Sequence, residues 1–234
     1  MANTQSGKAL PLVIIAVVAL AAGAILYGFL NGSPSSDGSS SAPMAAAADS
    51  EQLASLQETL NTTLALPIDF KSVEAFELQD ANGNTVTESI LDDRWSLMFF
   101  GYTHCPDVCP ITLQIMKNMV TKLESQGREA PQIIFVTVDP VRDTAEVMKR
   151  YIDYFNEDFI GITGEQNRIH DMTRQLGIVA SFTANDEDPE NYIVDHSASL
   201  LLVDPQRRLR GKVSPPLDVD NIIADYLNVT SSPS

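Results

Sequence analysis

Two short apolar runs, residues 95–102 (WSLMFFGY) and 132–138 (QIIFVTV), constrain this chain more than any other feature. Neither alternates apolar with polar residues, so each reads as a strand covered on both faces, and such strands belong to sheets flanked by helices. Between the runs Ile115, Met116, Met119 and Leu123 recur at helical spacing and mark one inner face. The alternation continues: residues 159–163 predict a short strand, 165–176 a helix ended by Gly177, 192–203 one or two strands, and 218–227 a closing helix. Asp143 followed by Glu146 resembles a capping box opening another helix. Ahead of the first buried run, residues 76–78 and 85–87 flank Asp80-Ala81-Asn82-Gly83, whose Asn-Gly pair is a hairpin signal. The expectation is one α/β domain over residues 67–230 with an N-terminal β-hairpin.

The first fifty residues differ in kind. Residues 9–30 carry no charge, and at about 1.5 Å per residue they reach roughly 33 Å as a helix, enough for a hydrocarbon core of about 30 Å. A cleaved signal peptide is the alternative, because Ala45 to Ala48 would suit a peptidase. The run is longer than a signal core, and a long polar gap separates it from those alanines, so an uncleaved single-pass anchor fits better. Lys8 and the α-amino group precede the run, while the first charges after it are Asp37, Asp49 and Glu51, which keeps the N-terminus inside. The lead has no arginine, unlike a mitochondrial transit peptide. These features predict a cytoplasmic tail (1–8), a transmembrane helix (9–30) in a bacterial inner membrane, a flexible Ser/Gly/Ala/Pro linker (31–50), an amphipathic helix (51–66) marked by Leu53, Leu56, Leu60 and Leu64, and a periplasmic domain.

Charge narrows the function. With 15 Lys+Arg against 31 Asp+Glu the net charge is −16, which repels nucleic acid and anionic lipid headgroups. Two cysteines exclude both a disulfide-rich scaffold and a four-cysteine metal site within one chain. Both lie in Gly101-Tyr102-Thr103-His104-Cys105-Pro106-Asp107-Val108-Cys109-Pro110, where a buried strand runs through a turn into a helix. A spacing of four lets both sulfurs reach one metal ion or each other if the segment is helical. A helix N-terminus also favours thiolate. A passive disulfide would stabilise little, because the loop it closes is so short.

Two thiolates rarely complete a metal site, which brings in the three histidines. His196 is the best placed, at the end of a predicted strand in residues 192–197 (YIVDHS). His104 adjoins Cys105 and could instead bond backbone, and His170 sits on a predicted helix as a surface or packed residue. Two sulfurs and one imidazole select copper over magnesium or calcium, as copper(I) or copper(II), and suit it better than four-coordinate structural zinc. Asp139 and Asp143 follow a strand end, where they could tune the thiols or serve as a turn residue and an N-cap. The acidic residues 182–191 (FTANDEDPEN) read as a solvated loop.

Through GYTHCPDVCP, VDPVRDT at 138–144, GITG at 161–164 and YIVDHS at 192–197, the chain resembles the Sco/SenC proteins from about residue 70 to 227. That resemblance implies a thioredoxin-like domain on a membrane anchor and a copper chaperone for cytochrome c oxidase assembly. It implies Cys105, Cys109 and His196 as copper ligands, and the dinuclear copper site of oxidase subunit II as the destination. Relatives are described both as copper donors and as reductants of the target's cysteines, so Cys105 and Cys109 could also act as redox thiols. A metal-independent thiol–disulfide oxidoreductase is the alternative reading, and enzymatic activity is left open.

Overall fold

Six consecutive residues of one apolar run pair in parallel with six of the other, Ser96 opposite Gln132 through Gly101 opposite Thr137. These are β4 (Ser96–Gly101) and β5 (Gln132–Thr137), and every residue of both except Gln132 is buried. Covered on both faces, they have no use for alternation.

The computed structural model describes residues 42–183 and 192–232. The tail and anchor expected at 1–30, the first part of the linker and nearly all of the acidic loop lie outside them. No helix among the described residues is long and apolar enough to cross a membrane. The chain divides into two units, Met1–Pro43 and Met44–Ser234, and all described strands lie in the second.

In chain order the elements are α1 (Ala42–Glu58), β1 (Thr63–Ala65), the hairpin β2 (Glu77–Asp80) and β3 (Thr85–Thr87), a 3-10 turn (Glu88–Leu91), β4, α2 (Val108–Ser125), β5, α3 (Ala145–Phe155), β6 (Ile160–Thr163), α4 (Gln166–Gln175), β7 (Ala180–Thr183), β8 (Ile193–His196), β9 (Leu200–Val203), β10 (Leu209–Val213) and α5 (Val219–Ser231). Eight strands form one sheet in the order β1-β10-β9-β4-β5-β6-β2-β3. β4, β5 and β6 run parallel, and antiparallel neighbours complete the sheet on both sides. β7 and β8 form a separate antiparallel ribbon.

Local signals explain most boundaries. Asp80 Oδ1 accepts from the amides of Asn82 and Asn84 at 2.8 Å each, closing the hairpin turn. Gly177, at φ +68°, ends α4 while the Ile178 amide reaches back to the Thr173 carbonyl at 2.9 Å. The Asp218 side chain caps α5 by accepting from Asp220 and Asn221.

Two expectations need correction. The helix expected at 51–66 runs from Ala42 to Glu58, because the alanines of the expected linker are strong helix formers. It stops early because Thr63–Ala65 is an edge strand on β10, and buried Asp225 accepts from the amides of Asn61, Thr62 and Thr63 at 2.7–2.9 Å. The capping box at Asp143 does not form. Thr144 caps α3 by accepting from Val147, and Asp143 turns inward.

Candidate metal centre

The site is built where β4 leaves the sheet. After Gly101 the chain folds back through a turn in which the Cys105 amide donates to the Tyr102 carbonyl at 3.2 Å, and α2 begins at Val108. Cys105 therefore precedes the helix, and the two sulfurs meet through this turn rather than along a shared helical face. The helix N-cap residue, Asp107, makes no side-chain cap. Instead the Cys109 amide donates to Cys105 Sγ at 3.4 Å, so the sulfur takes the place of a capping oxygen.

Cys109 is fully buried and Cys105 partly so, and both are free thiols. The burial of Cys109 depends on Gly101, since a Cβ there would stand 2.7 Å from Cys109 Sγ and 2.8 Å from the Phe135 ring. His196 arrives from β8, with Nε2 3.3 Å from Cys109 Sγ. Its ring packs edge-on against Tyr102 and Phe99, with centroids 5.9 and 6.0 Å away. The donor atoms of Cys105, Cys109 and His196 all lie within 4.8 Å of one another.

The two thiols differ electrostatically. The hydrogen bond from the Cys109 thiol holds Cys105 as a thiolate with a pKa of about 4, against the opposing effect of partial burial, and the amides of Asp107 and Cys109 and the His196 ring add to it. The same hydrogen bond, together with burial, pushes Cys109 up and keeps it protonated until a cation replaces its proton.

The other two histidines go elsewhere. His104 points to Thr103 Oγ1 at 3.0 Å and to Asp143 at 3.6 Å, with its side chain half exposed, and His170 is exposed on α4. Asp143 anchors the cysteine turn from below. Its carboxylate accepts from the Thr103 amide (2.9 Å), the Thr103 hydroxyl (2.5 Å) and the Thr137 hydroxyl (2.6 Å). Burial pushes its pKa up, although these donors work the other way. Asp139 lies beside it, 1% exposed, held by Arg142 and Tyr192. Sequence reasoning named both aspartates but neither partnership. The run VDPVRDT was the signal available, and Tyr192, fifty residues from Arg142, had none.

Two soft sulfurs and one imidazole, without a carboxylate among them, suit a thiophilic ion of low coordination number and fit neither magnesium nor calcium. Fold and site together define a class: a thioredoxin-like domain carrying a two-thiol, one-imidazole metal centre at the exit of a central strand. The SCO1/SenC family model matches residues 68–231, and the chain belongs to that family.

The chain is 41% identical over 131 residues to the SCO2-like protein RT0576 of Rickettsia typhi, covering 56% of this chain and 64% of that one. It spans roughly half to three quarters of the length of such curated relatives. Solved structures with the same fold include yeast Sco1 with copper bound, at 28% identity and TM-score 0.65, covering 70% of this chain and 91% of that one. Arabidopsis thaliana ScoI with copper bound matches at 29% identity and TM-score 0.64, covering 68% and 98%.

Proposed function

We propose that this chain is a copper carrier in which Cys105, Cys109 and His196 hold one ion and pass it to the thiolates of an acceptor. The convergence of these three donor atoms within 4.8 Å carries the reading. Relatives solved with copper bound support the identity of the ion. Soft sulfur donors prefer copper(I), and the same set can hold copper(II) with a further oxygen ligand.

The thiols divide the work. Cys105, already a thiolate and partly exposed, meets the incoming ion; Cys109 gives up its proton as the ion replaces it. Release proceeds by stepwise ligand exchange, with His196 leaving first because it stands on the β7–β8 ribbon, whereas Cys109 lies in the first turn of α2 and Cys105 in the turn that joins it to β4. The family resemblance supports cytochrome c oxidase assembly as the setting and the dinuclear copper site of subunit II as the acceptor. The uncharged run at 9–30 and its flanking charges support a single-pass anchor in a bacterial inner membrane, with this domain in the periplasm.

A second reading rests on the asymmetry of the pair: Cys105, partly exposed and accepting from the Cys109 amide, is held below the ordinary thiol range, while buried Cys109 is pushed above it. That pairing suits attack on an acceptor disulfide. Cys105 would form a mixed disulfide, Cys109 would resolve it, and the two electrons of the dithiol would leave the acceptor reduced and this pair oxidised.

Copper(I) competition titration of the reduced full-length chain, with stoichiometry read in parallel, separates the two. One tight copper per chain in the wild type, lost in His196→Ala, is expected. Absence of tight copper, with acceptor-disulfide reduction unaffected by His196→Ala, would put the reductase reading in front.

A further inference from the structure

Among the described residues, the strand that carries His196 makes no ladder with the central sheet, and β8 pairs with β7. No ladder to the central sheet therefore fixes its distance from Cys105 and Cys109, and side chains contribute to it. The Tyr192 hydroxyl, one residue before β8, donates to Asp139 Oδ1 at 2.7 Å. Arg142 fills the space between them: its Nε donates to Asp139 Oδ2 at 2.5 Å, its Nη1 donates to the Tyr192 carbonyl at 3.0 Å, and its guanidinium carbon stands 3.7 Å from the centre of the Tyr192 ring.

The same guanidinium lies 5.6 Å from the Tyr102 ring, whose hydroxyl accepts from the Val194 amide at 3.4 Å. Asp139 is tied in turn to β5, its amide donating to Thr137 Oγ1 at 2.9 Å. The Asp139 side chain is 1% exposed and that of Arg142 13%. A charge pair this far removed from water holds only when its partners are in place. Undocking the ribbon would therefore take the Tyr192 hydroxyl and carbonyl away from a buried charge pair.

We propose that Asp139, Arg142 and Tyr192 are positioning residues, a latch that docks the β7–β8 ribbon so that His196 stands over the cysteine pair as its third donor. The proposal rests on the reading that this site holds copper. The latch grips through a planar guanidinium, which stacks on one ring while forking to a carboxylate and a carbonyl; lysine offers no such geometry. It touches neither sulfur, so its loss acts on copper only through the imidazole. Opening it leaves two sulfur ligands and lowers the barrier to transfer.

A double-mutant cycle on the reduced full-length chain tests this. Tyr192→Phe removes the hydroxyl and keeps the ring, and Arg142→Lys keeps the charge and loses the fork. In the wild-type background each is expected to weaken copper(I) binding by roughly tenfold, the scale for losing a partner that orients a ligating histidine. X-ray absorption should show diminished imidazole scattering at the metal while the two sulfurs remain. In the His196→Ala background neither change should weaken binding further.

Tyr192→Phe binding copper as tightly as wild type, with imidazole scattering intact, would overturn the latch while leaving the copper site standing. So would an undiminished loss in the His196→Ala background. A wild type without tight copper would overturn the copper reading itself, whereas a His196→Ala variant that binds as well as wild type would take His196 out of the ligand set and the latch with it. If Arg142→Lys lowers the melting temperature and clouds its own result, Tyr192→Phe, which removes one oxygen and no packing, decides the matter.

Discussion

His196 Nε2 lies 3.3 Å from Cys109 Sγ although 87 residues separate them in the chain. The fold brings them together through different supports: the cysteine sits in the first turn of a helix packed into the core, and the histidine sits on a two-strand ribbon beside it. Cys109 is held by the core, and His196 by the ribbon.

Gly101→Ala should displace Cys109. The new Cβ would meet Cys109 Sγ at 2.7 Å and the Phe135 ring at 2.8 Å, and both are locked in the core. Overpacking of this kind costs about 1–3 kcal/mol. Chemical denaturation should register that loss, and copper affinity should fall in the same variant; a variant as stable as wild type that binds copper normally would show that the close approach is dispensable.

Cys105 should make the reduced, metal-free protein more stable as pH rises. Its folded pKa, about 4, lies below the ordinary thiol value of 9.0, so its contribution is complete above 9 and is lost as pH falls toward 4. Cys109, shifted upward, begins to cost stability only above about 9. Unfolding midpoints between pH 5 and 8 should climb more steeply for wild type than for Cys105→Ser. Alkylation below pH 7 should label Cys105 and spare Cys109.

Asp143 works in the opposite direction. Burial raises its pKa, so its contribution is greatest below the ordinary carboxyl value of 3.8 and declines as pH rises through the folded value. Asp143→Asn should abolish that decline. Asp143→Ala strands the Thr103 amide and the Thr137 hydroxyl, and denaturation should show a loss of about 1–3 kcal/mol.

Asp225 clasps the chain where it enters the edge strand β1. Burial favours its neutral form, yet donors from Asn61, Thr62 and Thr63 overcome this and hold the pKa below 3.8, so its stabilisation is present above that value and is lost on acidification. Asp225→Ala should cost about 2–3 kcal/mol and expose the β1 amides to hydrogen exchange, with copper stoichiometry unchanged. Unaltered exchange at the Thr63 amide, which donates to Asp225 rather than to β10, would mean that Asp225 does not protect it.

Much of this protein was legible from neighbouring residues alone. β4 and β5 declared themselves through unbroken apolar runs, the hairpin through Asn82-Gly83, and the end of α4 through Gly177, because burial on both faces, a tight turn and a left-handed backbone each demand particular residue types. The cysteine pair was visible for the same reason. Where a local signal had two uses, the chain alone could not choose: Asp143 reads equally as an N-cap and as a buried acceptor. The unsatisfied amide and hydroxyls of Thr103 and Thr137 decided for the latter.

Sequence determined β4, β5 and the hairpin, the turn chemistry and the thiol spacing, and it ranked His196 first among the histidines from its place at a strand end. Tertiary structure alone decided that β8 stands apart from the sheet, that Arg142 reaches Tyr192 across fifty residues, and that Asp225 holds Asn61 across 164. The division follows from range. Backbone propensities act over a few residues, whereas the partner of a buried charge is whichever polar group the packed chain delivers to it.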